Sequence, residues 1–206
     1  MNWMKSNIKS SICFAVFSLL IAAVEVKLAH AEPVASREYQ IKAAFLYNFI
    51  KFVDWPKEKV PDPNTPIVVG IIGKDLFEDA FKPLQEKEKD VLIQRFRGFA
   101  ELEKSSEKKK DEPHPQQDAI SKCHLLFVCP SESEHFADIV MSVKDRNVLT
   151  IADTQGFLAT GGIINFVTEE KKVRFDINAV AAKQAKITIR SQLLRLARQV
   201  IKEENG

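Results

Sequence analysis

Four side chains that bind metals or carry redox chemistry fall close together in this sequence: Cys123, His124, Cys129 and His135. A zinc site needs four such donors converging on a tetrahedron, usually from pairs separated by a few residues. The spacing here matches no such pattern, and on an extended chain Cys123 and His124 point to opposite faces. No metal site is expected. A disulfide between Cys123 and Cys129 would need Cα atoms about 4.4–6.8 Å apart. The segment between them, His124-Leu125-Leu126-Phe127-Val128, reads as a buried strand. Six strand steps of about 3.3 Å separate the two thiols by roughly 20 Å. Either the strand reading is wrong or Cys123 and Cys129, the candidate redox cysteines, do not pair with each other, and the strand reading is favoured.

Gly70-Ile71-Ile72-Gly73-Lys74 follows an apolar run, as a phosphate-binding loop does. It holds two residues between its glycines where that loop needs four, and Asp75 replaces the hydroxyl that would hold magnesium. No glycine-flanked serine elbow occurs. Asp153-Thr154-Gln155-Gly156-Phe157 is a better candidate. Asp153, Thr154 and Gly156 follow a predicted strand, where an α/β sheet places its ligand crevice. A plain turn accounts for the same residues, with Asp153 and Thr154 bonding their own backbone and Gly156 at positive φ. No nucleophile, base and orienting group come together, so no catalysis and no cofactor are expected.

The elements that position these groups begin after an export signal. Lys5 and Lys9, the apolar run Ile12–Val24 and the small-x-small Ala29-His30-Ala31 have the order of a secretory signal, with cleavage between Ala31 and Glu32. The run falls short of the roughly 20 residues that span a bilayer. Lys5, Lys9 and Lys27, against Glu25, account for the formal net charge of +2 of the whole chain. Residues 32–206 are then formally neutral, which gives no basic excess to attract nucleic acid. Their length suits a single domain.

Ser36 is placed to cap a helix running through Tyr39, Ala43, Phe45, Ile50 and Phe52 until Pro56 ends it. Ile67 to Gly73 reads as a central strand covered on both faces. Asp75 opens a short helix through Phe77, Phe81 and Leu84. Further strands are expected over 91–96, 124–129 and 148–151. Ser131 and Glu134 form a capping box for a helix reaching about Lys144. Residues 101–118, rich in lysine and glutamate, form a charged surface loop.

Two apolar runs, Ile163 to Val167 and Val173 to Ile177, flank Glu169-Glu170-Lys171-Lys172 as an antiparallel hairpin. A short helix over 179–184 and a strand over 186–189 follow. Ser191 then caps a last amphipathic helix, with Leu193, Leu194, Leu196, Ala197, Val200 and Ile201 facing inward. The expected class is α/β: a three-layer sandwich on a mostly parallel sheet, with a C-terminal antiparallel hairpin and helices on both faces.

Five ordered blocks add a resemblance. The helix Tyr39 to Pro56 and the strand Cys123 to Val128 resemble the YfiR-like family. So do Leu149 to Asp153 with Gly156-Phe157, then Gly161 to Val167, then Val173 to Asn178 with Ser191 to Ala197. The resemblance implies a compact three-layer fold, often dimeric, in the periplasm. It implies a non-catalytic regulator that binds the periplasmic part of an inner-membrane diguanylate cyclase. Such binding lowers cyclic di-GMP and restrains biofilm formation. The alternative is a periplasmic small-molecule sensor that passes its signal to a membrane sensor kinase or cyclase, with its crevice near Asp153, Thr154 and Gly156. The docking surface would be an exposed apolar patch. Phe157 and Phe175 are its candidate anchors, with core packing as the competing role. Cysteine oxidation stabilises the family's best-known member, which marks Cys123 and Cys129 as the residues to follow.

Overall fold

The computed structural model describes residues 34–60, 64–87, 90–101 and 115–203, without the side chains of 34–36, 87 and 115–118. Its first element is helix α1, Val34–Lys51. After it come β1 (Val53–Asp54), β2 (Ile67–Ile72), α2 (Lys82–Lys87), β3 (Val91–Phe96), α3 (Pro115–Lys122) and β4 (Leu125–Val128). A 3₁₀ helix, Pro130–His135, runs into α4 (Phe136–Ser142), and β5 (Leu149–Ala152) leads to a second 3₁₀ helix, Phe157–Thr160. The chain ends with the hairpin β6 (Ile164–Glu169) and β7 (Lys172–Asn178), then α5 (Ala179–Gln184), β8 (Thr188–Ile189), α6 (Ser191–Leu196) and β9 (Gln199–Ile201).

The unbroken apolar run of β2 can bury both faces, and β2 accordingly sits between β3 and β4, parallel to each. The seven-stranded sheet has the order β3-β2-β4-β5-β6-β7-β9. It is parallel through β6, after which β7 runs antiparallel to β6 and β9 runs parallel to β7. The hairpin turns at Glu170 and Lys171, both at positive φ (49° and 62°), the backbone hand that matches strand twist. Alternation along β4 divides the core. Leu125 and Phe127 pack with Ala43, Leu46 and Phe49 of α1. Leu126 and Val128 pack with Ile120 of α3 and with Phe136 and Ile139 of α4. Helices thus cover both faces, and the α/β reading holds in the form of a mixed sheet.

Several boundaries differ from the sequence expectation. Ser36 lies inside α1 instead of capping it. The helix stops at Lys51, before Pro56, because Val53 and Asp54 pair with Ile189 and Thr188 in a separate two-stranded sheet. Asp75 opens no helix; its carboxylate accepts from the Phe77 amide at 2.8 Å, closing a local turn, and α2 begins at Lys82. Ser131 and Glu134 form no capping box, since Ser131 Oγ donates to Glu132 and the turn there is 3₁₀.

The last helix ends at Leu196. Ala197 adopts extended backbone (φ −64°, ψ 142°), and residues 199–201 add β9 to the open side of β7. Leu196 and Ile201 are therefore exposed instead of facing inward. Residues 115–118, expected in the charged loop, begin α3. The expected signal segment 1–31, the Ala31–Glu32 cleavage site and residues 102–114 lie outside the described residues. No described helix is long and apolar enough to cross a membrane.

Candidate functional site

The inward stripe of α1 reads Tyr39, Lys42, Ala43, Leu46 and Phe49, the spacing of one helix face. Lys42 is the exception in that apolar stripe, with a side chain only 4% exposed. Its ammonium lies 2.6 Å from Asp153 Oδ2 and 2.6 Å from Glu38 Oε1. The Tyr39 hydroxyl also donates to Asp153 Oδ2, at 2.7 Å, and Thr168 Oγ1 donates to Glu38 at 3.1 Å. A buried cation needs such partners. Burial, then the hydrogen bond to Asp153, raises the Tyr39 pKa, so its phenol keeps its proton. Burial works to raise Glu38, but the hydrogen bond and charge of Lys42 outweigh it and hold the carboxyl below its usual value.

Asp153 stands just past the end of β5, beside a crevice of about 640 Å³. Gly156, Leu158, Asn165, Asp176 and Arg198 also line it. Asn165 and Asp176 are cross-strand partners in the hairpin and share one face. The opposite face carries Phe166 and Phe175, whose rings pack on Phe45 and Phe49 of α1. Arg198, just before β9, clamps Asp176 through two bonds of 2.8 and 2.5 Å. The hydrogen bond and charge of Asp176 keep the guanidinium pKa raised. Two acceptors are buried without a donor among the described residues: Asp153 Oδ1 and Asn165 Oδ1.

The candidates from the sequence are placed as follows. Asp153 and Gly156 line the crevice, with Gly156 at φ 94°, while Thr154 does not line it. Asp153 bonds side chains of α1, 111 and 114 residues away, where a local turn would have bonded its own backbone. Phe157 and Phe175 are buried, at 0% and 2% exposure, so both pack the core and neither ring is presented to a partner. Their apolar size, taken as a docking signal, serves the two core layers.

Cys123 and Cys129 are both free and buried, in different core layers. Burial pushes each thiol up to about 12, and at Cys123 the nearby Lys59 only partly offsets this. A protonated, enclosed thiol is a poor nucleophile. Both nitrogens of His124 are occupied, Nδ1 by the Val68 amide at 3.0 Å and Nε2 near the Lys59 carbonyl at 3.2 Å.

Sequence reasoning missed Tyr39, Lys42, Asn165, Asp176 and Arg198. A visible signal existed for three of them: Lys42 interrupts an apolar helical stripe, and Asn165 and Asp176 interrupt the apolar hairpin runs. Arg198 gave none, because it lay on what reads as the polar side of a helix.

A profile of YfiR/HmsC-like proteins matches residues 39–198, a span that contains the network from Tyr39 to Arg198 apart from Glu38. The chain belongs to the YfiR/HmsC-like family. That family is periplasmic, regulatory and non-catalytic.

Among solved structures, a conserved domain protein from Vibrio cholerae O1 biovar El Tor strain N16961 is similar to this YfiR/HmsC-like chain. The TM-score is 0.52 at 10% identity, over 79% of this chain and 60% of that one. A Streptococcus pneumonia structure, described as an ABC domain in complex with L-Trp, gives a TM-score of 0.52 at 13% identity with the same coverage. The chain spans 60% of the length of either structure, and the likeness shows the α/β fold alone. A search of curated proteins finds no match.

Proposed function

We propose that this YfiR/HmsC-like chain binds the periplasmic part of a membrane-bound diguanylate cyclase and holds the cyclase inactive. Cyclic di-GMP falls and biofilm formation is restrained as a result. The observation that carries the reading is the family match across residues 39–198. The chemistry of the crevice agrees with a regulator. Tyr39 keeps its proton, Lys42 is shared between two carboxylates and Arg198 is clamped by Asp176, so these groups are engaged in holding structure.

Repression of this kind is a population shift: the regulator must prefer the inactive arrangement of the cyclase over the active one. Moving a cyclase from 99% active to 99% inactive takes about a 10⁴-fold preference. The test is reconstitution of the cyclase in vesicles with its periplasmic part accessible. Added protein is expected to reduce cyclic di-GMP synthesis at least about tenfold at saturation, which from a 99% active cyclase takes roughly a 10³-fold preference, about 4 kcal/mol of differential binding. Unchanged synthesis at saturating protein, with every diguanylate cyclase of the host, contradicts the proposal.

A further inference from the structure

We infer that a second cavity, between α4 and α5, binds a small uncharged molecule that is largely apolar and carries one accepting oxygen, such as a ketone or an ester. This goes beyond the cyclase reading and does not depend on it. The cavity shares no lining residue with the crevice at Asp153. β6 pairs with β5 only at Ile151 and Ala152, which leaves Leu149 and Thr150 without a β6 register partner. A space of about 260 Å³ opens there, lined by Val140 and Met141 of α4, Val148, Thr150, Ile163, and Ala181 of α5. Its frame is tied across: Asn147, beside Val148, donates through Nδ2 to the carbonyl of Ala185, another lining residue, at 3.0 Å. An apolar cavity of about 150 Å³ takes benzene, so this one has room for about ten non-hydrogen atoms.

Thr150 supplies the polar contact. The residue is only 3% exposed. Its Oγ1 accepts from the Ile163 amide at 3.2 Å, which sets the hydroxyl between two residues that both line the cavity. A hydroxyl also has one hydrogen to give. Among the described residues no acceptor takes it. Buried donors in native folds are met by protein, by water or by a ligand. A lone water wants about two to four polar partners, and the side chains of Val140, Val148, Ile163 and Ala181 offer none. A ligand oxygen needs only the one hydrogen, and its carbon frame fills the contacts missing along those walls.

Charge narrows the class. Lys144 and Asp145, both exposed, line the cavity as chain neighbours of opposite sign, so neither an anion nor a cation is favoured. Met141, a lining residue that is 64% exposed, has an unbranched side chain able to close over ligands of different shape.

NMR titration of the purified chain tests this, following the methyl and amide signals of Val140, Val148 and Ile163. The probes are acetophenone and α-methylstyrene, the same frame with a methylene in place of the oxygen. Acetophenone is expected to bind saturably in the millimolar range and to move those signals. Thr150→Val keeps the side-chain shape and the Thr150 carbonyl, which also accepts from the Ile163 amide, at 3.3 Å. That variant is expected to weaken acetophenone about fivefold, the effect of one neutral hydrogen bond, and to leave α-methylstyrene unchanged. Ala185→Met, which adds volume to a lining side chain, is expected to weaken both probes at least about tenfold, and it tests the site even if the Thr150 variant does not fold. Absence of saturable acetophenone binding overturns the inference, as do signals that move only away from the cavity. So does a Thr150→Val variant that loses acetophenone no more than α-methylstyrene, or unchanged binding in Ala185→Met. None of these results bears on cyclase repression, which is read in the separate vesicle assay.

Discussion

Lys42 and Asp153, 111 residues apart in the chain, meet at 2.6 Å in the interior, where each side chain is only 4% exposed. The pair ties the first helix to the end of a central strand, at the rim of the crevice.

Removing one member leaves the other charge buried. Lys42→Met is expected to destabilise the fold by about 3–5 kcal/mol in urea unfolding at neutral pH. Lys42→Met combined with Asp153→Leu is expected to recover much of that, with a coupling of about 0.5–3 kcal/mol in the double-mutant cycle. Additive losses would show that the pair is not the fold's anchor.

Gly162 and Gly156 test two different glycine roles. A Cβ at Gly162 would lie 2.3 Å from the Phe157 ring, whereas one at Gly156 meets nothing within 4 Å but sits at φ 94°. Gly156→Ala should cost about 1–2 kcal/mol in backbone strain alone. Gly162→Ala should cost about 1–3 kcal/mol or more from overpacking, and Phe157→Leu in the same chain should relieve part of it. Equal losses with no relief would mean that Phe157 does not press on Gly162.

The architecture was largely legible in the residues. The apolar run of β2 demanded cover on both faces, and the paired apolar runs around Glu170-Lys171 demanded a hairpin. The C-terminal stretch misled because Leu193, Leu194, Ala197 and Val200 keep helical spacing. The free side of β7 and the bond from the Arg198 amide to the Phe175 carbonyl, at 2.8 Å, draw that segment into a strand instead. The crevice was half legible. Asp153 announced itself by following a strand. Its partners Tyr39 and Lys42 lie on α1 and the other crevice residues Asn165 and Asp176 on β6 and β7, and only tertiary pairing brings residues so distant in sequence together.

The thiols of Cys123 and Cys129, buried and pushed up to about 12, are expected to react negligibly with Ellman's reagent near neutral pH in the folded protein. Both should react promptly in urea. Rapid labelling of either in the native state, or a Cys123–Cys129 disulfide after mild oxidation without unfolding, would contradict this placement.

His124 sets an acid dependence. Burial, the first cause, and the charge of Lys59 lower its pKa from 6.5, although the Lys59 carbonyl opposes them. Its Nδ1 accepts from Val68, so protonation breaks that bond. The unfolded chain takes up a proton near pH 6.5 while the folded chain does so only at lower pH. Stability present at pH 7 is therefore lost as pH falls below 6.5. The urea midpoint should drop between about pH 7.5 and about pH 5.5, and less so in His124→Gln. An equal drop in both proteins would assign the effect to other groups.

The most direct test of the central claim is intracellular cyclic di-GMP in the host, compared between intact, deleted and complemented strains. A regulator that holds a cyclase inactive predicts a clear rise on deletion, reversed by the wild-type gene. Unchanged cyclic di-GMP across several growth conditions would contradict it.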